Sequence, residues 1–155
     1  MAGYSGTPLA KKLGLKPPLH VLLVGAPADY KTWLGDLPAG VSFSASARTK
    51  VQAAHLFLTK RALLEKHLSA LRRQLEPDGF VWVSWQKKAS RERRHGVPED
   101  KKERQGVPED RVATDITEDT IREVALPLGF VDIKVCAVSD VWSGLKLVIR
   151  KQERR

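Results

Sequence analysis

The sequence predicts an α/β fold, a three-layer sandwich with a mostly parallel sheet that ends in an antiparallel hairpin. Two observations support this prediction. Between Val51 and Lys88, two short runs that are apolar on both faces enclose an amphipathic helix, which is typical of a right-handed parallel crossover. A second amphipathic helix and two further apolar runs then follow, as expected for a closing hairpin. An antiparallel α+β arrangement is the alternative for the first unit.

A leucine stripe with spacings of four, three and four residues defines the helix of the crossover unit. The stripe consists of Leu64, Leu68, Leu71 and Leu75. The Glu76-Pro77-Asp78-Gly79 segment is predicted to end the helix in a tight turn, because proline cannot continue the helical hydrogen bonds. The flanking strands are predicted at Ala53–Leu58 and Phe80–Trp85.

A smaller strand–helix–strand pattern precedes this unit. Strands are predicted at His20–Ala26, which is mostly apolar, and at Val41–Ala47, where apolar residues alternate with serines. A short helix is predicted between them at Tyr30–Leu37. Leu9–Leu13 is predicted to form one or two helical turns before the Pro17-Pro18 pair.

The C-terminal part predicts one helix and one hairpin. The apolar stripe of the helix consists of Ile121, Val124, Ala125 and Leu128. Asp115 or Thr117 is predicted to cap its start. The hairpin strands are predicted at Val131–Val138 and Leu145–Ile149, with Trp142-Ser143-Gly144 in their connection.

Length and composition fit a single domain over residues 1–155. No apolar run approaches the roughly 20 residues of a membrane span, so no membrane partner is expected. Cys136 is the only cysteine, and a reducing cytoplasm is the expected location. The net charge of +9 raises the expectation of anionic partners without choosing among them. The oligomeric state is left open.

Residues 88–112 are predicted to form a flexible charged loop, and residues 151–155 a basic tail. The loop contains the pentapeptide GVPED twice, at a ten-residue period. A local duplication in a solvent loop is the simpler interpretation, and a basic flap over a ligand site is the functional alternative.

One cluster of candidate ligand contacts lies at the predicted carboxyl ends of the strands, where open α/β sheets bind ligands. Its members are Trp85, Lys87, Lys88, Ser90, Thr114, Asp115, Thr117 and Gly25. Helix N-termini favour anions, and lysines and hydroxyls complete such sites. We expect an anionic group among these side chains, with Trp85 as a stacking wall. The alternative is an exposed lysine pair beside an ordinary helix cap.

Motifs for metal or covalent chemistry are missing from the sequence. The four histidines show no metal-ligand spacing, so no metal site is expected. His55 and His67 are expected to be structural, and Cys136 is expected to be a core or sheet-face thiol. The phosphate-binding glycine motifs and the Gly-x-Ser-x-Gly elbow are absent. The cofactor, and whether the chain is an enzyme, are left open.

The order of elements, with Leu75-Glu76-Pro77-Asp78-Gly79 ahead of an apolar strand, resembles the Rossmann-like class I S-adenosylmethionine-dependent methyltransferases. The chain departs from that family at two places. The loop that is glycine-rich in the family contains only Gly25 here, and Ser44–Arg48 has no acidic residue for the ribose hydroxyls. The resemblance therefore implies the architecture but not methyl transfer.

Four phrases resemble the bacterial domain of unknown function 3052 family. They are GYSGTPLAKKLG, WQKKAS, TDITEDTIREVALPLGFVDIKVCAV and DVWSGLKLVIR, and the resemblance covers nearly the whole chain except the GVPED repeat region. Members usually carry proline at the position of Gln86. The resemblance implies no activity, but it suggests that these phrases belong to one common feature.

Three functions remain open from the sequence. The first is a non-catalytic or ligand-sensing module that binds a small anionic molecule beyond the strand ends. The second is a degenerate methyltransferase-like enzyme, which predicts binding of S-adenosylmethionine. The third is weak, salt-dependent binding of nucleic acid through the basic loop and tail.

Overall fold

The computed structural model describes residues 8–35, 37–46, 50–87 and 114–154. The strands of this part are β1 Leu19–Val24, β2 Val41–Ser44, β3 Val51–Phe57, β4 Leu75–Gln86, β5 Phe130–Ala137 and β6 Trp142–Ile149. Its α-helices are α1 Leu9–Lys12, α2 Tyr30–Leu34, α3 Arg61–Gln74 and α4 Glu118–Leu128. A 3₁₀ turn follows at Lys151–Glu153. The predicted loop at 88–112, with the repeat that it contains, lies outside the described residues.

The six strands form one sheet in the order β2-β1-β3-β4-β6-β5. Strand β1 pairs in parallel with β2 and β3, and β3 pairs in parallel with β4. Strand β6 runs antiparallel to both β4 and β5. The predicted mostly parallel sheet with a C-terminal antiparallel hairpin is therefore confirmed, as is the parallel crossover through α3.

Two apolar layers cover the faces of the sheet. On one face, α3 and α4 pack over alternate strand residues such as Leu56 and Val83. On the other face, α1 and α2 pack over residues such as Phe57 and Trp82. Burial on both faces explains why β3 and β4 are apolar almost throughout. No helix among the described residues has the length and apolarity needed to span a membrane.

The predicted tight turn after α3 is wrong, because the chain becomes extended at Leu75 and enters β4 directly. Leu75 pairs with Val51, and pairing resumes between Phe80 and Ala53 after a bulge that holds the Pro77 segment. Burial of the Leu75 side chain, which is 3% exposed, stabilises this early pairing. Proline is tolerated here because a bulge leaves its position outside the regular ladder.

The assignment of Trp142-Ser143-Gly144 to the hairpin connection is also wrong. These residues form the start of β6, where Trp142 pairs with Gln86, Ser143 with Trp85 and Gly144 with Ser84. Ser143 and Gly144, which suggested a turn, therefore lie in strand β6 between β4 and β5. Gly144 has close neighbours on its bare face, since an added Cβ would lie 3.1 Å from the Trp82 ring.

The two predicted caps of the last helix have different roles. Thr117 caps α4, because its hydroxyl accepts from the backbone N–H of Thr120 and the Thr120 hydroxyl accepts from that of Thr117. Asp115 instead accepts from the backbone N–H of Arg61 at the start of α3, 2.5 Å away. The helix continues through Pro127 and ends at Gly129, whose φ is +101°.

Candidate ligand site at the carboxyl edge of the sheet

Strands β1, β3 and β4 are parallel, so their carboxyl ends lie along one edge of the sheet, and antiparallel β6 begins there. We call this edge the carboxyl edge and define it by Gly25, residues 57–59, Gln86–Lys87 and Val141–Trp142. The backbone N–H of Lys87 donates to the Val141 carbonyl at 2.7 Å, which holds the end of β4 against the start of β6. Residues from four separate segments thus converge at the place that the sheet topology favours for ligands.

Gln86 and Trp142 are the distinctive side chains of this edge. They are register partners, so they lie side by side on the sheet face that α1 and α2 cover. Both are buried, at 1% and 5% exposure, and the Trp142 ring meets Phe57 edge to face with centroids 5.1 Å apart. Within the described residues, the only buried side-chain nitrogens and oxygens without a hydrogen-bond partner are Gln86 Nε2, Gln86 Oε1 and Trp142 Nε1. One acceptor and two donor groups therefore lie enclosed in apolar surroundings without a hydrogen-bond partner.

The lysine and threonine of the predicted anion cluster have specific partners. The Lys87 ammonium donates to the Ser139 carbonyl at 2.7 Å, next to the turn before β6. The Thr114 hydroxyl donates to the Thr59 carbonyl at 3.1 Å and accepts from the backbone N–H of Ile116. These contacts fasten the segment before α4, and the hairpin turn, onto the carboxyl edge.

The other predicted contacts are distributed around this edge. Trp85, 8% exposed, faces the α3 and α4 layer and is part of its apolar core. Asp115 and Thr117 cap α3 and α4 as described above. Lys88 and Ser90 lie outside the described residues. An anion bound among these residues stays a prediction.

Gly25 lies where β1 leaves the sheet. Its φ is +70°, and an added Cβ would lie 2.5 Å from the Phe57 carbonyl oxygen. The glycine is thus required by the close approach of two backbones at the carboxyl edge. This contact gives Gly25 a packing role that does not depend on a ligand.

A buried polar chain lies behind the edge on the same sheet face. Tyr30 Oη is 2.9 Å from His55 Nδ1, and His55 Nε2 is 2.6 Å from Ser84 Oγ. Burial lowers the pKa of His55 to about 3, so the imidazole is neutral at ordinary pH. Burial likewise raises the pKa of the Tyr30 phenol. A serine beside a histidine is the composition of a nucleophile and its base, but the hydroxyl of Ser84 is fully enclosed, which fits a structural role.

Other reactive groups give no sign of activation. Burial raises the pKa of the Cys136 thiol, with opposing contributions from Lys12 and Lys134, so the thiol stays protonated. The part of the chain that the structure describes holds no group of three histidine, cysteine or carboxylate side chains suited to a metal ion.

Sequence reasoning missed Gln86 and Trp142 as site residues. The sequence predicts Trp142 in a hairpin connection and ends the apolar strand at Trp85, one residue before Gln86. A signal was present in β4, where Trp82, Ser84 and Gln86 place two polar residues on one face of a buried strand. Polar side chains in a buried strand need hydrogen-bond partners. His55 is such a partner for Ser84 but not for Gln86.

The comparisons with known proteins identify the fold. No protein-family model and no curated protein sequence matches the chain. A methyltransferase from Aquifex aeolicus, described as dependent on S-adenosylmethionine, is 18% identical with a TM-score of 0.52, covering 91% of this chain and 87% of its own. The magnesium protoporphyrin IX methyltransferase of Synechocystis PCC 6803 is 14% identical with a TM-score of 0.53, covering 92% and 78%. The chain therefore has a methyltransferase-like, Rossmann-like fold.

A third solved structure is much longer than this chain. LepI in complex with S-adenosylmethionine is 12% identical with a TM-score of 0.48, and the match covers 92% of this chain but only 39% of LepI. At such identities structural similarity defines the architecture, and function has to be argued from the site.

Proposed function

We propose that this chain is a non-catalytic ligand-binding module with a methyltransferase-like fold, and that its ligand is a small anionic molecule bound at the carboxyl edge. The observation that carries the proposal is the buried, unpartnered Gln86 carboxamide beside the unpartnered Trp142 indole. Leaving a buried polar group without a partner costs about 1–3 kcal/mol, so such groups call for an explanation, and a ligand would supply the missing partners.

The chemistry of these two side chains defines part of the ligand. The Gln86 carboxamide pairs with a group that presents a donor and an acceptor side by side, as an amide or a purine edge does. The Trp142 indole N–H needs one further acceptor. The aromatic rings of Trp142 and Phe57 favour a planar ligand surface next to these contacts.

The anionic character of the ligand rests on the cations at the same edge and on the net charge of +9. Lys87 directly follows Gln86, and its ammonium lies at the Ser139 carbonyl beside the turn that leads into Trp142. A ligand that reaches from the carboxamide towards this turn meets a positive charge. Coulomb attraction to a partly buried lysine is stronger than attraction to a lysine in open solvent.

Binding rather than catalysis is supported by the state of the reactive groups. His55, Ser84 and Tyr30 are buried and bonded to one another, and the Cys136 thiol is protonated. General acid–base chemistry needs a group that titrates near the working pH and reaches the substrate. The buried imidazole, with a pKa of about 3, meets neither condition.

The phrases that resemble the domain of unknown function 3052 family come together in the fold, although no family model matches the chain. Three of these phrases meet at this edge: WQKKAS contributes Gln86 and Lys87, DVWSGLKLVIR contributes Trp142, and the TDITED phrase contributes Thr114.

A methyltransferase-like enzyme is the second candidate, since solved methyltransferases share this fold at low sequence identity. The loop after β1 is the difficulty. It has a single glycine, Gly25, and that glycine serves the contact with Phe57. Binding of S-adenosylmethionine accompanied by methyl transfer would support this candidate over a binding module.

A ligand screen by thermal shift tests the proposal, using nucleotides, S-adenosylmethionine and phosphorylated metabolites at two salt concentrations. A ligand at a hundredfold excess over its Kd stabilises the fold by about 2.7 kcal/mol, or roughly 5–10 °C in Tm for a chain of this size. The shift should be lost in Gln86→Met and in Trp142→Phe.

The matched control is Gln52→Met. Gln52 is exposed, and its Oε1 accepts from the backbone N–H of His20 at 2.9 Å, far along β3 from the carboxyl edge. This variant should keep the shift. A ligand whose shift survives both Gln86→Met and Trp142→Phe would contradict the proposal.

A further inference from the structure

A second group of unusual side chains lies away from the carboxyl edge, on the α1 side of the β5–β6 hairpin. Lys134 and Lys146 are register partners on these antiparallel strands, so their side chains lie on the same face. Like charges directly opposite each other destabilise a sheet. Burial, and then the charges of Lys134 and Lys16, lower the pKa of the Lys146 ammonium below its usual value. We call Lys16, Lys134 and Lys146 the lysine cluster.

The strand that carries Lys134 also carries a carboxylate, but a register shift turns it away. Asp132 pairs with Leu147, and the next paired residue is Lys134, because the ladder is irregular between them. Asp132 thus lies on the opposite face, where it accepts from Arg122 of α4 at 3.1 Å. The ion pairs among the described residues include no member of the lysine cluster.

Lys134 and Lys146 have specific contacts that hold their ammonium groups in place. The Lys146 ammonium lies 4.4 Å from the centroid of the Phe80 ring, and the Lys134 ammonium donates to the Lys12 carbonyl at 3.3 Å. A Cβ added to Gly14 would lie 3.5 Å from Lys146 Nζ, which puts this ammonium beside the end of α1. These contacts concentrate positive charge at one place. A lysine on an open surface would instead keep its ammonium group in water.

An open cleft of about 270 Å³ adjoins this place. Its lining includes Lys11, Gly14, Leu15, Lys16, Pro17 and Pro38. Gly14 and Lys16 connect the cleft to the lysine cluster, and the leucine and prolines make its other walls apolar. The cleft thus combines a cationic end with an apolar body.

We propose that this cleft is a second ligand site, which takes a small organic phosphate monoester with an apolar body. Lys11 and Lys16 line the cleft and the Lys146 ammonium lies beside Gly14, so the cations at this end suit a group with two negative charges better than a single carboxylate. The apolar walls suit a hydrocarbon or aromatic body, and the volume suits a molecule of few heavy atoms. This site is independent of the proposed function, since it uses a different part of the same sheet face.

Calorimetric titration of the full chain with phenyl phosphate tests the proposal. Lys146→Met and Lys16→Gln should each weaken binding at least tenfold. Lys66→Met is the matched control, because Lys66 is exposed on α3 and its loss lowers the net charge equally. Lys16 is exposed and adds little to packing, so Lys16→Gln decides the matter if Lys146→Met fails to fold.

Three results would overturn the proposal. Equal weakening in the lysine-cluster variants and Lys66→Met would mean that only net charge matters. Loss of phenyl phosphate binding in Gln86→Met would place the ligand at the carboxyl edge. Binding of short oligonucleotides without binding of phenyl phosphate would identify a nucleic-acid surface. Retained phenyl phosphate binding in Gln86→Met, with loss in Lys16→Gln, supports the second site whatever becomes of the first.

Discussion

Replacing Gln86 with methionine is expected to stabilise the ligand-free protein, which is unusual for a change at a residue that is 1% exposed. Both polar atoms of the carboxamide are buried without partners, so the substitution removes a desolvation cost of about 1–3 kcal/mol. Methionine has a similar length and is flexible, so the substitution leaves little cavity and little strain. The expected gain in Tm is roughly 2–12 °C for a chain of this size.

Urea unfolding followed by tryptophan fluorescence, together with a thermal scan, measures this gain in free energy. Gln52→Met is the control, because it removes a carboxamide whose oxygen already has a partner. That variant should be neutral or slightly less stable than the original chain. A stabilised Gln86→Met variant that has also lost its ligand response would show that stability was exchanged for binding.

Destabilisation of Gln86→Met by 1 kcal/mol or more would refute this reasoning. Such a result would mean that the carboxamide has good partners in solution, for example an ordered water that bridges it to the indole. The two unpartnered side chains would then be parts of a hydrated core rather than of a ligand site. Trp142→Phe is a second test, since it removes the unpartnered indole N–H together with part of a buried ring.

Three further predictions concern stability. The folded state holds His55 neutral with a pKa of about 3, against about 6.5 when unfolded, so the free energy of unfolding should fall by about 2 kcal/mol between pH 8 and pH 5. Urea titrations should show this fall, and its persistence in a folded His55→Phe variant would assign it to other groups. Gly25→Ala should cost about 1–3 kcal/mol more than Gly35→Ala, because both glycines have positive φ but only the first meets a carbonyl oxygen. Equal costs by chemical denaturation would argue against the contact. Thr117→Ala should cost about 1 kcal/mol through loss of its cap, measured the same way, and no change would mean that α4 starts elsewhere.

The architecture was predictable because apolar periodicity determines which elements form and which are buried on both faces. The leucine stripe of α3 and the flanking apolar runs were enough for the parallel crossover, which the pairing of β3 with β4 confirms. Periodicity does not determine where a strand begins. Leu75 and Trp142 both start strands earlier than the sequence predicts, because pairing with a neighbouring strand outweighs the local turn preference of Pro77 or Gly144.

The candidate site was predictable only as a region. Lys87 and Thr114 do lie near the carboxyl edge, but their contacts with Ser139 and Thr59 follow from loop geometry that no spacing reveals. The unpartnered state of Gln86 and Trp142 is a property of three-dimensional pairing. A sequence shows which groups need hydrogen bonds, whereas only the packed chain shows which of them lack one.

The exposed position of strand β5 affects how the protein behaves in concentrated solution. Strand β5 is at an edge of the sheet, and it exposes Ile133 and Val135 at 56% and 50% on either side of Lys134. An exposed edge with apolar side chains can recruit a strand from another copy, and a lysine at its centre opposes this pairing by charge repulsion. Salt screens this repulsion, so concentrated samples are expected to self-associate most readily at high ionic strength.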